Sequence, residues 1–317
     1  MRRFGGVGAA TAVGLGAGFL ADLAFGDPVR WHPVAGFGRM AAALERRIYS
    51  DEKGRGAAFE GALVGGVVGA GLLTSFLVRD RPLARALVTA STTWAVLGGR
   101  SLVREATAIA DALDEDDVAA ARARVRNLVG RDPESLDADG IARATLESVA
   151  ENTSDAVVAP LFWGAVAGLP GLVGYRAINT LDAMVGHRSE RYRNFGWAAA
   201  RLDDVVNWVP ARLAAGLAVL AAPLVTGHSS QALRAVQQQS GQHPSPNGGV
   251  VEAAFAGALG VTLGGQNSYG GVLEDRGVLG FGPVPRPSDI ARGNRLALVV
   301  SAGAALLAVG VAWGRRR

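Results

Sequence analysis

ATLESVAENTSDAVVAPLFW, residues 144–163, sets acids directly against an apolar run. At about 100° per residue, a helix returns Glu147, Glu151 and Asp155 to one face in steps of about 40°, so the carboxylates form a column. The column runs without a linker into residues 157–163, which carry no polar side chain. Carboxylates against a bilayer-compatible run are costly unless paired, hydrated or holding a cation. Spacing alone equally allows a solvated helix face that ends at a membrane boundary.

The whole composition favours the membrane. The 317 residues are 49% hydrophobic and include 44 glycines, a mixture that suits helices packed closely in lipid. There is no cysteine, which excludes disulfides, thiolate metal sites and cysteine nucleophiles. Net charge is +4, carried by arginine, since Lys53 is the single lysine. Planar guanidinium forks suit phosphates, carboxylates or anionic headgroups. The arginines are not interleaved with aromatic stacking positions, so nucleic acid is not an expected partner.

The expected fold is an all-α polytopic membrane protein with about four to seven membrane-embedded helices, some broken or re-entrant, plus amphipathic helices. Residues 7–25 form a retained first helix, with Asp22 in its last turn. Residues 60–78 are a second span and 83–98 a marginal third, joined by a tight turn that predicts an antiparallel hairpin. Residues 99–154 change to amphipathic helix, with apolar stripes at Leu102, Ala106, Ile109, Leu113 and at Val118, Ala121, Val125, Leu128. They read as a soluble helical insertion in a single domain covering residues 1–317, and Asp137 is placed to cap the helix that carries the acid column. Residues 157–175, interrupted by Pro160 and GLPG, predict a kinked span or a re-entrant pair. Residues 208–225 span again with Arg212 inside. Asn247 is expected to cap the segment 250–264, which carries Glu252 and is too short to cross. A glycine/proline loop with Asn267, Ser268 and Tyr269 precedes the closing span, 296–313.

No phosphate-binding GxxxxGK[ST], H-E-x-x-H or G-x-S-x-G occurs. The acids and amides Glu147, Glu151, Asn152, Asp155, Asn179 and Asp182 lie among many arginines, a donor set suited to magnesium with phosphate oxygens. That points to a magnesium-nucleotide or phosphate-ester site at a membrane surface, against a transporter whose buried charges form a relay.

The same residues carry a family resemblance. GDPVRWHPV (26–34), VGRD (129–132), ESVAENTSDAVVAPLFW (147–163), NTLDAMVG (179–186), RYRNFGWAAARLDDVVNWVPARL (191–213) and GQHPSPNGG (241–249) resemble the adenosylcobinamide-phosphate synthase family, CobD/CbiB, in the family's order and over almost the whole chain. Ser154 and residues 187–189 depart from its pattern, which weakens any role for His187. The resemblance implies a multi-pass enzyme of the cell inner membrane, active face cytoplasmic. Such an enzyme is an ATP- and magnesium-dependent ligase that joins a propionate carboxylate of adenosylcobyric acid to the amine of (R)-1-aminopropan-2-ol O-phosphate, giving adenosylcobinamide phosphate.

Within those motifs, Glu147, Glu151, Asp155 and Asp182 are the expected catalytic acids and Mg2+ ligands. Arg131, Arg188, Arg191 and Arg201, with Asn152 and Asn179, are expected at ATP and the phosphate ester. His32, Asp203, Asp204, Asn207, His243, Ser245 and Asn247 are expected at the corrinoid and its amine partner. The competing readings are a membrane transporter or binding protein for a corrinoid or other anionic solute, and a scaffold for other pathway enzymes. Self-association stays open.

Overall fold

The computed structural model describes residues 6–27, 32–129, 133–134, 136–187, 189–269 and 272–315. The chain is predominantly helical. Its helices are α1 (Val7–Phe25), α2 (Pro33–Ile48), α3 (Lys53–Leu77), α4 (Pro82–Val96), α5 (Gly99–Asp114), α6 (Val118–Val125) and α7 (Ala138–Thr153), then, after a π-helical turn at Ser154–Val158, α8 (Ala159–Ala167) and α9 (Leu169–Val185). There follow α10 (Trp197–Val206), α11 (Trp208–Ala221), α12 (Ser229–Gln239), α13 (Gly248–Leu259), the strands β1 (Leu263–Tyr269) and β2 (Val272–Leu279), and α14 (Asp289–Gly314). Helices α1, α3, α11 as continued to Val225, and α14 are long and apolar enough to cross a bilayer. The polytopic helical class read from composition is the one observed.

The described chain divides into two compact units, one of Met1–Gly98, Ala159–Asn207 and Ala305–Arg317, the other of Gly99–Val158 and Trp208–Ala304. The first boundary falls where the sequence turns amphipathic.

In the first unit, α1 packs along α4. Gly14 and Gly18, one turn apart, face Thr89 and Thr93, and a Cβ on Gly14 would lie 2.5 Å from that of Thr89. Small residues at this spacing let backbones approach, which is how helices gain contact in lipid. The same device joins α3 to α9, where Gly71 lies against Pro170 and Gly174 against Val68. This corrects the expected α3–α4 hairpin. The chain does turn back at residues 79–82, yet among the described residues α3 and α4 do not pack side by side, because each finds a glycine-matched partner elsewhere. With 15 residues, α4 is also only about 22 Å long, short of a hydrocarbon core of roughly 30 Å.

The segment 157–175 is not one span but two helices folded back on each other. Gly168, at φ +67°, makes the reversal, and a side chain at Gly171 would overlap the Trp163 carbonyl. Below this, α2, α3, α9 and α10 bury Ala41, Phe59, Leu63, Leu181, Val185, Phe195 and Ala199 in one cluster. Each large side chain there contributes roughly 1.5–3 kcal/mol by leaving water.

In the second unit, the stripe Leu102, Ala106, Ile109, Leu113 is buried, as are Ala121 and Val125. Asp117 and Asp137 cap α6 and α7, accepting from the amides of Ala120 at 2.9 Å and Gly140 at 2.8 Å. Helix α13 packs against α7, α11 and α12 and is buried along its length from Gly249 to Leu259, so Glu252 in its middle must find partners inside the protein. The supposed loop after it is an antiparallel hairpin, Leu263 opposite Leu279, with a bulge between Gly264 and Gln266. Gly264, Gly265 and Gly277 all take positive φ. So much glycine reads as loop by composition, while burial of Leu263 and Leu279 holds the strands.

Candidate functional site

Four elements of the second unit bring charge to one place. Helix α7 supplies Glu147 and Glu151, α13 supplies Glu252, β2 supplies Arg276, and the turn before α13 supplies His243. Arg276 is the centre. Its Nη2 lies 2.7 Å from Glu151 Oε1 and 3.3 Å from Glu252 Oε1, and its Nε donates to His243 Nε2 at 2.7 Å. The guanidinium therefore uses its fork across three partners while its side chain is only 13% exposed. Glu147, one turn before Glu151, accepts the Gly264 amide at 2.8 Å, which ties α7 to the start of β1. Gly248 closes the floor, where a Cβ would stand 2.9 Å from Glu151 Oε1.

The His243 tautomer follows from these bonds. Accepting from Arg276 requires the lone pair on Nε2, so the proton sits on Nδ1, facing the Ser245 carbonyl at 3.2 Å. The Ser245 amide, 3.0 Å from Nδ1, would need the opposite tautomer, and the charge-assisted bond from Arg276 decides against it. Burial, then the neighbouring Arg276, holds the imidazole below its usual range, so it is neutral. Burial also pushes Glu252 well above the ordinary carboxylate range, reinforced by Glu151 and Glu147. Burial would raise Glu151 too, but Arg276 and a hydrogen bond from Glu252 outweigh it and hold Glu151 low. The result is an ionised Glu151 sharing a proton-bearing neighbour, Glu252, beside a fixed cation.

Across this chain, the sequence model of a family described as CobD/Cbib protein matches residues 15–297. The chain belongs to the CobD/CbiB family. Proteins named "Cobalamin biosynthesis protein CobD" are 53% identical over 309 residues in Mycobacterium tuberculosis, covering 96% of this chain and 97% of that protein. One from Chromobacterium violaceum is 45% identical, covering 90% and 92%, and one from Rhodobacter capsulatus 43%, covering 92% and 95%. No solved structure matches the chain.

The remaining residues singled out from the CobD/CbiB motifs fall as follows. His243 and Ser245 join Glu151. The Ser245 hydroxyl accepts the Gly248 amide at 3.1 Å and so caps α13. Asn247 does not cap by its side chain, because its Oδ1 instead accepts from Arg212 at 3.2 Å. Asn152 is bonded back to Ser148 of its own helix. At Ser154 the helix widens into the π turn, so the regular column ends before Asp155.

Asp182, Asn179, Asp203, Asp204 and Asn207 lie in the first unit. Asn207 donates to Asp203 at 2.9 Å and accepts from Tyr175 at 2.9 Å. Burial, then Asp203 and Asp204, pushes Asp182 up to about 7. Burial likewise raises Asp203 to about 6 against the hydrogen bonds from Asn207 and Asn179. Arg191 is held by Glu45 at 2.9 Å and lies over the Tyr49 ring. Arg201 is exposed beside Asp204 at 3.6 Å, and His32 caps α2 through Nδ1 at 3.2 Å. Arg131 and Arg188 lie outside the described residues.

Sequence reasoning did not select Arg276, which sits in a stretch read as loop, with no motif to mark it. Glu252 carried a signal, a lone carboxylate in an apolar segment too short to cross. Among the described residues, Glu151, His243 and Glu252 are the group whose ligand atoms all lie within 4.8 Å of one another. They do not fit magnesium as arranged. That ion prefers oxygen ligands in octahedral array, whereas one donor here is an imidazole and the Arg276 guanidinium already binds all three.

Proposed function

We propose that this chain acts in cobalamin biosynthesis, as the ligase that joins adenosylcobyric acid to (R)-1-aminopropan-2-ol O-phosphate at the expense of ATP. The observation that carries the reading is the buried Arg276–Glu151–His243–Glu252 cluster within a chain of the CobD/CbiB family. A free carboxylate does not condense with an amine in water. One substrate carboxylate oxygen attacks the γ-phosphorus of ATP, the bond to the β-bridging oxygen breaks, and ADP leaves an acyl phosphate. The amine nitrogen then forms the C–N bond, phosphate departs, and the nitrogen loses a proton.

Glu151 is the base in this scheme, the ionised member of its pair with Glu252 beside Arg276. Arg276 supplies fork donors for a carboxylate or phosphate oxygen that replaces a Glu151 contact. The enzyme works in the cell inner membrane with this cluster on the cytoplasmic side, where ATP is available.

The test is direct. Purified protein in detergent receives ATP, magnesium and both substrates, and coupled appearance of ADP and the new amide supports the ligase. Corrinoid uptake into proteoliposomes without ATP consumption would replace it with the transporter reading.

A further inference from the structure

The first unit holds a second set of acids that the ligase scheme does not use. Glu60 lies on α3, one turn beyond Gly56, which packs on the Phe195 backbone. Its neighbours Phe59 and Leu63 face the core shared with α9 and α10, and Glu60 itself is 3% exposed. Neither carboxylate oxygen has a hydrogen-bond partner among the described residues. Helix α3 packs against α9, which carries Asp182, and against α10, which carries Asp203; both acids act on Glu60 through their charge, and Asp203 Oδ1 is also buried without a hydrogen-bond partner among the described residues. Gly186 clears the space beside Asp182, since any side chain there would overlap Asp182 Oδ1.

Such an arrangement is expensive. A buried polar group without a hydrogen bond costs roughly 1–3 kcal/mol, and more when charged. Two further acids within electrostatic reach add repulsion. A carboxylate held inside the protein by a helix apolar enough to cross a bilayer needs a neutralising partner, a proton or a cation. Unpartnered acceptor oxygens on acids of packed helices suit a positively charged donor.

We propose that Glu60, Asp182 and Asp203 form a cation site for a cation that brings its own hydrogen-bond donors. A hydrated divalent ion and an alkylammonium group share that chemistry. Spacing favours this class over a bare ion, because among the described residues the three acids are not a group whose ligand atoms all lie within 4.8 Å of one another. Donor hydrogens on bound water or on nitrogen extend the reach to all three. Asn207 steadies Asp203 by donating to its Oδ2 at 2.9 Å, and Tyr175 steadies Asn207.

The site stands apart from the ligase reading, since binding is measured without turnover. Purified full-length chain in detergent at pH 7.5 is titrated with Mn2+ and followed by electron paramagnetic resonance. Wild type binds the ion, and Glu60→Gln and Asp182→Asn each weaken binding about ten-fold or more, the loss expected for a charge-assisted contact. Displacement of Mn2+ by n-propylammonium would identify an ammonium site, and no displacement a site for hydrated metal. Where a variant fails to fold, wild type is treated with dicyclohexylcarbodiimide, and Mn2+ or propylammonium should protect Glu60 from labelling. Binding of neither cation, binding indifferent to Glu60→Gln and Asp182→Asn, or labelling of Glu60 unaffected by both cations overturns the proposal.

Discussion

Replacing Arg276 with methionine removes the centre of the cluster while keeping much of its apolar stem. The variant loses contacts to Glu151 at 2.7 Å, to Glu252 at 3.3 Å and to His243 at 2.7 Å. Taking one member from a buried ion pair costs about 3–5 kcal/mol, because the partner charge stays behind. Glu151 keeps a third of its side chain exposed, so the lower end, about 3 kcal/mol, applies. For a folding unit of this size that is a drop in Tm of roughly 6–12 °C, measurable by intrinsic fluorescence in detergent.

The pH dependence is the sharper part. In wild type the Glu151 carboxyl is held below its ordinary 4.5, so its contribution is full above that pH and is lost only as pH falls through the lower folded value. Without Arg276, burial pushes the same carboxyl up. Its contribution is then lost as pH rises through the raised value. The deficit against wild type therefore grows from pH 5 to pH 8. A variant within about 2 °C of wild type, or a deficit equal at both pH values, would refute the reasoning.

Three other outcomes follow from the geometry. Glu151→Gln should abolish ATP-dependent amide formation, by a factor of at least 10² for a general base, while its thermal unfolding shows a folded protein; near-normal turnover removes Glu151 from the chemistry. Gly18→Leu should separate α1 from α4, since even a Cβ there would overlap Thr93. An overpacking cost of about 1–3 kcal/mol should appear as earlier detergent unfolding, against little effect of leucine at Gly61, which has open space. Asp203→Asn should stabilise the protein in chelator at pH 8 by about 1 kcal/mol and do little at pH 5. Asp182 and Asp203 titrate at about 7 and about 6 when folded, so wild type loses their contribution as pH rises through 6 to 7. Equal stability of the variant and wild type at pH 8 would count against the repulsion.

The membrane character was legible because it is a bulk property: α1, α3, α11 and α14 are apolar over lengths a bilayer requires. Local chemistry was legible too, as at Asp137, whose carboxylate caps α7, and at GLPG, which breaks residues 157–175 at Gly168. Helix partnership was not. Residues 79–82 suggest that α3 and α4 pair, but surface complementarity at Gly14, Gly18 and Gly71 chooses other neighbours, and no local pattern states which glycine face meets which. The column of Glu147 and Glu151 was visible from spacing, whereas its cation comes from Arg276, more than a hundred residues on in a glycine-rich hairpin. Long-range ion pairs leave no periodicity to read.

The central claim is that the Arg276 cluster belongs to an enzyme that spends ATP to make an amide. The most direct measurement is mass-spectrometric quantification of ADP and adenosylcobinamide phosphate from purified protein supplied with ATP, magnesium, adenosylcobyric acid and (R)-1-aminopropan-2-ol O-phosphate. The account predicts equal amounts of both products, and neither from Glu151→Gln. Intact substrates after incubation with folded wild-type protein would contradict it.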